Sequence, residues 1–211
     1  DYPVETRKEL ETFIKRHPRK TEARLLKIRY FPEQKGAVQY QAEIWDLFNA
    51  DVSNEQVTRF LLWYLSGVGD TDSMRIVLER YQGDEEEPPY WHHFYQSVIA
   101  LNAFDLETAA REMDMAYAAG DSWLFSYNKA VLAVVRGDVL TAENLLEEAA
   151  DQLQEKTTIF GKNSYLSRIL YERALLLVER EEFEAAVSLL EKAVELDGMN
   201  IRAGTVLNRI K

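Results

Sequence analysis

Apolar residues recur at three- and four-residue spacing along almost the whole chain, and no stretch alternates convincingly between apolar and polar positions. That pattern predicts about a dozen amphipathic helices of roughly 10–18 residues and no sheet. The breaks are short and polar: "HPRKT" at 17–21, "FPEQKG" at 31–36, "GVGDTD" at 67–72, "GDEEEPP" at 83–89, "AAGDS" at 118–122, "RGD" at 136–138, "EKTTIFGKNS" at 155–164 and "DGMN" at 197–200. Gly and Pro close the helices, and Asp, Ser or Thr follow as N-caps. Short links make neighbouring helices antiparallel.

Small residues punctuate the apolar faces at fixed places. In "EFEAAVSLLEKAVELD" (182–197), Ala186, Leu190, Ala193 and Val194 share one face, flanked by Leu189 and Leu196. The preceding helix, within "LYERALLLVERE" (170–181), has Ala174 at its middle. Upstream, Ala130 is followed by Gly137-Asp138 and then by Ala142, Leu146 and Ala149. Further upstream, Ser97 precedes Ala109, Met113 and Ala116, and Gly69-Asp70 precedes Met74, Leu78 and Tyr81. Small residues facing each other let two backbones approach closely while larger neighbours interdigitate around them.

Equivalent points begin near residues 21, 55, 90, 123 and 167, giving intervals of 34, 35, 33 and 44. A two-helix unit with a period of about 34 residues resembles the tetratricopeptide repeat. The resemblance implies an all-α fold, a right-handed α-solenoid of about five antiparallel helix pairs. The expected units are 21–54, 55–89, 90–122, 123–166 and 167–200, with an insertion at 151–166, and with 1–20 and 201–211 as partial or capping helices, all in one domain.

In that family the first helices of the pairs line a concave groove that takes an extended peptide or a partner helix. The matching positions here are Arg59 and Trp63; Trp91, Phe94 and Val98; Leu124, Tyr127 and Val131; and Arg168, Tyr171 and Leu175. Trp, Tyr and Arg are the types enriched at binding hot spots, so Arg59, Trp63, Trp91, Phe94, Tyr127, Arg168 and Tyr171 form the expected partner-binding stripe. The competing expectation is packing, in which Trp45, Trp63, Phe94 and Phe125 seal the core. Chaperone-binding members of the family clamp a terminal carboxylate with Lys, Asn and Arg. Only Asn128 and Arg168 suit that role, while Leu25, Phe94, Val98 and Glu172 oppose it. The segment "FIKRHPRKTEA" (13–23) is similar to a repeat boundary of bacterial envelope tetratricopeptide proteins, which implies an envelope or motility assembly.

Charge adds a second feature. The formal net charge is −11, from 36 acidic and 25 basic residues among 211. General nucleic-acid binding depends on neutralising phosphates, and this balance argues against it. Residues 1–35 nevertheless hold ten basic and six acidic side chains, against 15 and 30 in residues 36–211. The basic segment 15–29 is therefore expected to contact an anionic surface or another copy.

Catalytic chemistry is sparse. There is no cysteine, which excludes disulfides and thiolate catalysis. His92 and His93 are adjacent and point about 100° apart on a helix, so they cannot chelate as an i,i+4 pair. "FGKNS" (160–164) lacks the earlier Gly and the Ser or Thr after Lys that a phosphate-binding loop needs. "GDSWL" (120–124) lacks the second Gly of a nucleophile elbow, and Ser122 suits a helix N-cap. The carboxylates Glu147-Glu148 and Glu85-Glu86-Glu87 are expected on solvated faces or turns. No metal, cofactor or enzymatic activity is expected. The anticipated role is a protein–protein adaptor within a larger assembly; the alternative is a ligand- or peptide-sensing regulatory domain.

Overall fold

A computed structural model describes residues 4–30, 37–83, 87–118, 122–156, 159 and 161–211. Twelve helices and no strand occur among them: α1 (Val4–Arg16), α2 (Thr21–Tyr30), α3 (Ala37–Ala50), α4 (Glu55–Val68), α5 (Thr71–Arg80), α6 (Tyr90–Asn102), α7 (Leu106–Ala118), α8 (Trp123–Val135), α9 (Val139–Glu155), α10 (Lys162–Glu179), α11 (Phe183–Leu196) and α12 (Ile201–Ile210). The expected breaks at 31–36 and 119–121, and Glu85 and Glu86, lie outside the described residues. The chain forms two compact units, residues 1–95 and 96–211.

One local device makes the turns. Gly69, Phe104, Gly137 and Glu181 each adopt left-handed backbone, with φ of 75, 58, 80 and 63°. The next residue in each case, Asp70, Asp105, Asp138 or Glu182, donates its N–H back to the carbonyl of Leu65, Ala100, Ala133 or Leu177 at 2.9–3.0 Å. This is the Schellman closure of a helix C-terminus. The same residue then starts the next helix, its carbonyl accepting from Met74, Ala109, Ala142 or Ala186 at 2.9–3.2 Å. Three of the four also cap with the side chain. Ser73, Thr108 and Thr141 donate their N–H groups to Asp70, Asp105 and Asp138 at 3.0, 3.1 and 3.1 Å. Those bonds hold the Asp105 and Asp138 carboxyls below the usual carboxylate range, through the Thr108 backbone N–H and the Thr141 side chain foremost.

The device sets where helices touch. It fixes the second helix so that its fourth residue after the cap, Met74, Ala109, Ala142 or Ala186, is buried. Opposite lie Ser97, Ala130 and Ala174, also buried. Ser97 reports the closeness directly, since its hydroxyl donates to the Ala109 carbonyl at 2.6 Å. Ser167 does the same to Ala193 at 2.7 Å and accepts from the Asn200 amide at 2.9 Å. Enlarging a side chain at such a close contact is expected to overpack it, at a cost of about 1–3 kcal/mol.

Each unit has its own core. In residues 1–95 it includes Leu25 and Ile28 on α2, Ile44, Leu47 and Phe48 on α3, Val57, Leu61, Leu62 and Leu65 on α4, Met74, Val77 and Leu78 on α5, and Trp91 and Phe94 on α6. In residues 96–211, Ala130, Ala142, Leu146 and Leu153 pack with Leu166 and Ile169 of α10. The other side of α10, with Leu170, Ala174 and Leu177, packs on Ala186, Leu190 and Ala193 of α11 and Ala203 of α12. One helix thus serves two neighbours, which is how a repeat stack shares its core.

The 44-residue interval is absorbed by length. α9 and α10 run for 17 and 18 residues, against 10–14 elsewhere. Lys162 closes the join by donating its ammonium to the carbonyls of Gln154 and Lys156. These belong to the unpaired end of α9, where a cation is favoured. Glycine followed by lysine here makes a helix-end clamp.

Candidate functional site: exposed faces of the first helices

Where a helix is not covered by its neighbours, it presents a face to solvent. In residues 1–95 that face belongs mainly to α4. Trp63 is 60% exposed and stacks on Phe60 with ring centroids 5.5 Å apart and planes 26° from parallel. Arg59, one turn earlier, pairs with Glu55 at 3.1 Å and lies over the Tyr90 ring at 5.6 Å. On α2, which packs directly against α4, Leu26, Arg29 and Tyr30 are exposed.

Two members of the expected stripe are core residues. Trp91 is 2% exposed and Phe94 8%. Trp91 meets Tyr81 edge to face at 4.9 Å, and its buried indole N–H has no hydrogen-bond partner. Phe94 stands edge to face with Tyr95 at 5.1 Å. Burial pushes the Tyr95 phenol up to about 12, the Arg59 charge pulling weakly the other way. The packing expectation applies to Phe94 and Phe125, which are buried. It fails for Trp63. The physical reason is position on the helix: Trp91 follows the first residue of α6 and points inward, whereas Trp63 lies opposite the buried set Leu61, Leu62 and Leu65.

In residues 96–211 the face is built by α8 and α10. The Arg168 guanidinium lies over the Tyr127 ring at 5.5 Å. Tyr127 is half-buried, and desolvation raises its phenol; Arg168 opposes this and Glu172 adds to it. Tyr171 is half-buried against the α10–α12 core. Leu124, Val131 and Leu175 are partly exposed beside them. Asn128 donates one amide N–H to the Leu124 carbonyl at 2.7 Å. The arrangement offers flat aromatic area with a stacked guanidinium, which suits an apolar side chain beside an acidic or carbonyl group.

Several contributors were not apparent from sequence. Phe60 and Tyr90 gain their roles through Trp63 and Arg59, and Trp123 packs on Tyr165 at 5.0 Å. An Arg with a Tyr on the neighbouring first helix was the available signal, and it recurs in both units as Arg59–Tyr90 and Arg168–Tyr127. Glu147 lies on a solvated face as expected, whereas Glu148 does not. Glu147 pairs with Arg173 at 3.1 Å. Glu148 accepts from Tyr117, Gln152 and the buried Ser126 at 2.7, 2.8 and 3.1 Å, tying α7, α8 and α9 together. Glu148 is thus an internal acceptor. Among the described residues no group of His, Cys, Asp and Glu is placed to hold a metal ion, and no helix is long and apolar enough to cross a membrane.

No protein-family model matches the chain, and no curated protein matches it in sequence. Solved structures match it in fold. Cut9, from the APC/C hetero-tetramer Cut9–Hcn1, superposes with a TM-score of 0.81 at 13% identity, covering 97% of this chain and 39% of Cut9. The chain therefore spans well under half of that protein. PilW, a type IV pilus biogenesis factor, matches with a TM-score of 0.70 at 13% identity over 94% of this chain and 87% of PilW. YrrB, a tetratricopeptide-repeat protein with an unusual peptide-binding site, matches at 0.53 and 9% identity, covering 93% and 96%. The fold is tetratricopeptide-like, an all-α solenoid class.

Proposed function

We propose that this chain is a protein–protein interaction module that binds a partner helix or extended peptide on the exposed faces of its first helices. The observation that carries the reading is Trp63: a large aromatic left 60% exposed, stacked on Phe60 and flanked by Arg59. A solvent-facing indole leaves apolar area in water that a bound partner would bury. Arg168, Tyr127 and Tyr171 offer the same chemistry on the second unit. The repeat units in this reading pair α2 with α3, α4 with α5, α6 with α7, α8 with α9 and α10 with α11. The peptide-binding site that YrrB carries on a similar fold supports the mode of binding. Segment 13–23, with the likeness to PilW over most of both chains, supports an envelope or motility assembly as the setting.

Site-specific photocrosslinking in native cells tests the surface. A crosslinker at position 63 or 171 should trap a discrete protein, and one at Ile76 or Lys192, exposed on second helices, should not. Adducts from 76 and 192 with none from 63 and 171 would move the binding face to the second helices.

A further inference from the structure

The hairpin of α1 and α2 carries a cluster of cations at its tip. Lys15, Arg16, Arg19, Lys20 and Arg24 have no ion-pair partner among the described residues. Every residue from Lys15 to Lys20 is exposed. The turn itself is ordered by backbone bonds, His17 N–H to the Phe13 carbonyl at 2.9 Å and Lys20 N–H to that of His17 at 3.0 Å. Phe13 is exposed at the same end, its ring 4.6 Å from that of His17. The cations are therefore held around a firm tip with an aromatic at its margin.

We infer that this tip is a contact surface for an anionic lipid bilayer. Three observations favour a bilayer over an acidic protein. A run of six exposed residues at a turn offers no recess to seat a peptide or helix, whereas a flat anionic surface meets all of its cations at once. Lysine and arginine on long stems add attraction without a defined docking geometry, and each contributes on a leaflet of anionic lipid. An exposed aromatic beside them can enter the headgroup region, where amphipathic rings reside. The remainder of the chain, with 30 acidic and 15 basic residues from position 36 onward, is repelled by the same surface, so the hairpin is the part that approaches. The tip shares no residue with the Arg59 and Trp63 face of α4.

Vesicle co-sedimentation of the whole chain decides it. The probes are phosphatidylcholine vesicles and vesicles carrying about a third phosphatidylserine, at low and at high salt. The expected result is binding to the anionic vesicles only, lost at about 0.5 M salt, where the screening length is only a few ångströms. Arg16→Glu, Arg19→Glu and Lys20→Glu together should lower it at least about tenfold, with an unchanged circular dichroism spectrum. Phe13→Ala should lower it less. Trp63→Ala should leave it unchanged, which separates this contact from the protein-binding face. Equal binding to neutral vesicles, no binding to anionic ones at low salt, or full binding by the charge-reversed chain would each overturn the inference. Salt-sensitive binding to polyglutamate or to a second copy without vesicle binding would overturn it too, assigning the tip to an acidic protein surface.

Discussion

Phe104 and Glu181 occupy backbone conformations that glycine fills at the equivalent positions 69 and 137. A side chain in the left-handed region costs about 1–2 kcal/mol, and Phe104, 84% exposed, has little packing to offset it. Phe104→Gly should therefore stabilise the chain by about 0.5–1 kcal/mol after glycine's own entropy is counted, measured by denaturant unfolding. A loss of stability would show that the exposed ring makes contacts the turn geometry does not reveal. The capping aspartates give a pH dependence of definite sign. Asp105 and Asp138 have depressed folded-state values, so their contribution is present above the unfolded value of about 3.9 and is lost as pH falls through the folded one. The double variant Asp105→Asn, Asp138→Asn keeps a capping acceptor. It should show a shallower fall of Tm between about pH 5 and pH 2. Trp91 and Trp63 show what a single residue hides in sequence. Both are tryptophans on first helices, and both read as candidates for a stripe. Which one is buried depends on the rotation of its helix against its neighbours, and that is settled by tertiary packing.

At the element scale the repeat was legible because its signals are local and redundant. The Gly-Asp turns and the small residues four positions after the cap are read directly from the chain, and the structure builds both into contact, as in Ser97 against Ala109. What was not legible connects elements far apart in sequence. Glu148 joins Tyr117, 31 residues away, and Ser126, 22 away, and no spacing rule anticipates an acceptor shared by three helices. The extra length of the interval before α10 lies partly in the long helices α9 and α10, and residues added to helix ends carry no periodicity break of their own. Glu148→Ala should destabilise the chain by about 1–3 kcal/mol, since Ser126 and the Tyr117 hydroxyl lose an acceptor in a partly dry site. Glu147→Ala, which breaks an exposed pair with Arg173, should cost under about 1 kcal/mol. Equal costs would mean the three-helix network contributes nothing beyond a surface charge.

On the scale of the whole molecule, the chain couples a uniform architecture to uneven surface chemistry. Its fold is fixed by many small, repeated choices, none of which says what is bound. The few side chains that the repeat does not need, with Trp63 foremost, form the proposed binding surface. The decisive comparison is between Trp63→Ala and Trp91→Ala, each measured for melting temperature and for affinity to the partner trapped by crosslinking. Trp91→Ala should lower stability by about 3–5 kcal/mol, as for a buried aromatic. Trp63→Ala should leave stability within about 0.5 kcal/mol and weaken partner binding by about 2 kcal/mol or more, as for a hot spot. A Trp63→Ala protein that melts like the parent and binds its partner with undiminished affinity would contradict the account.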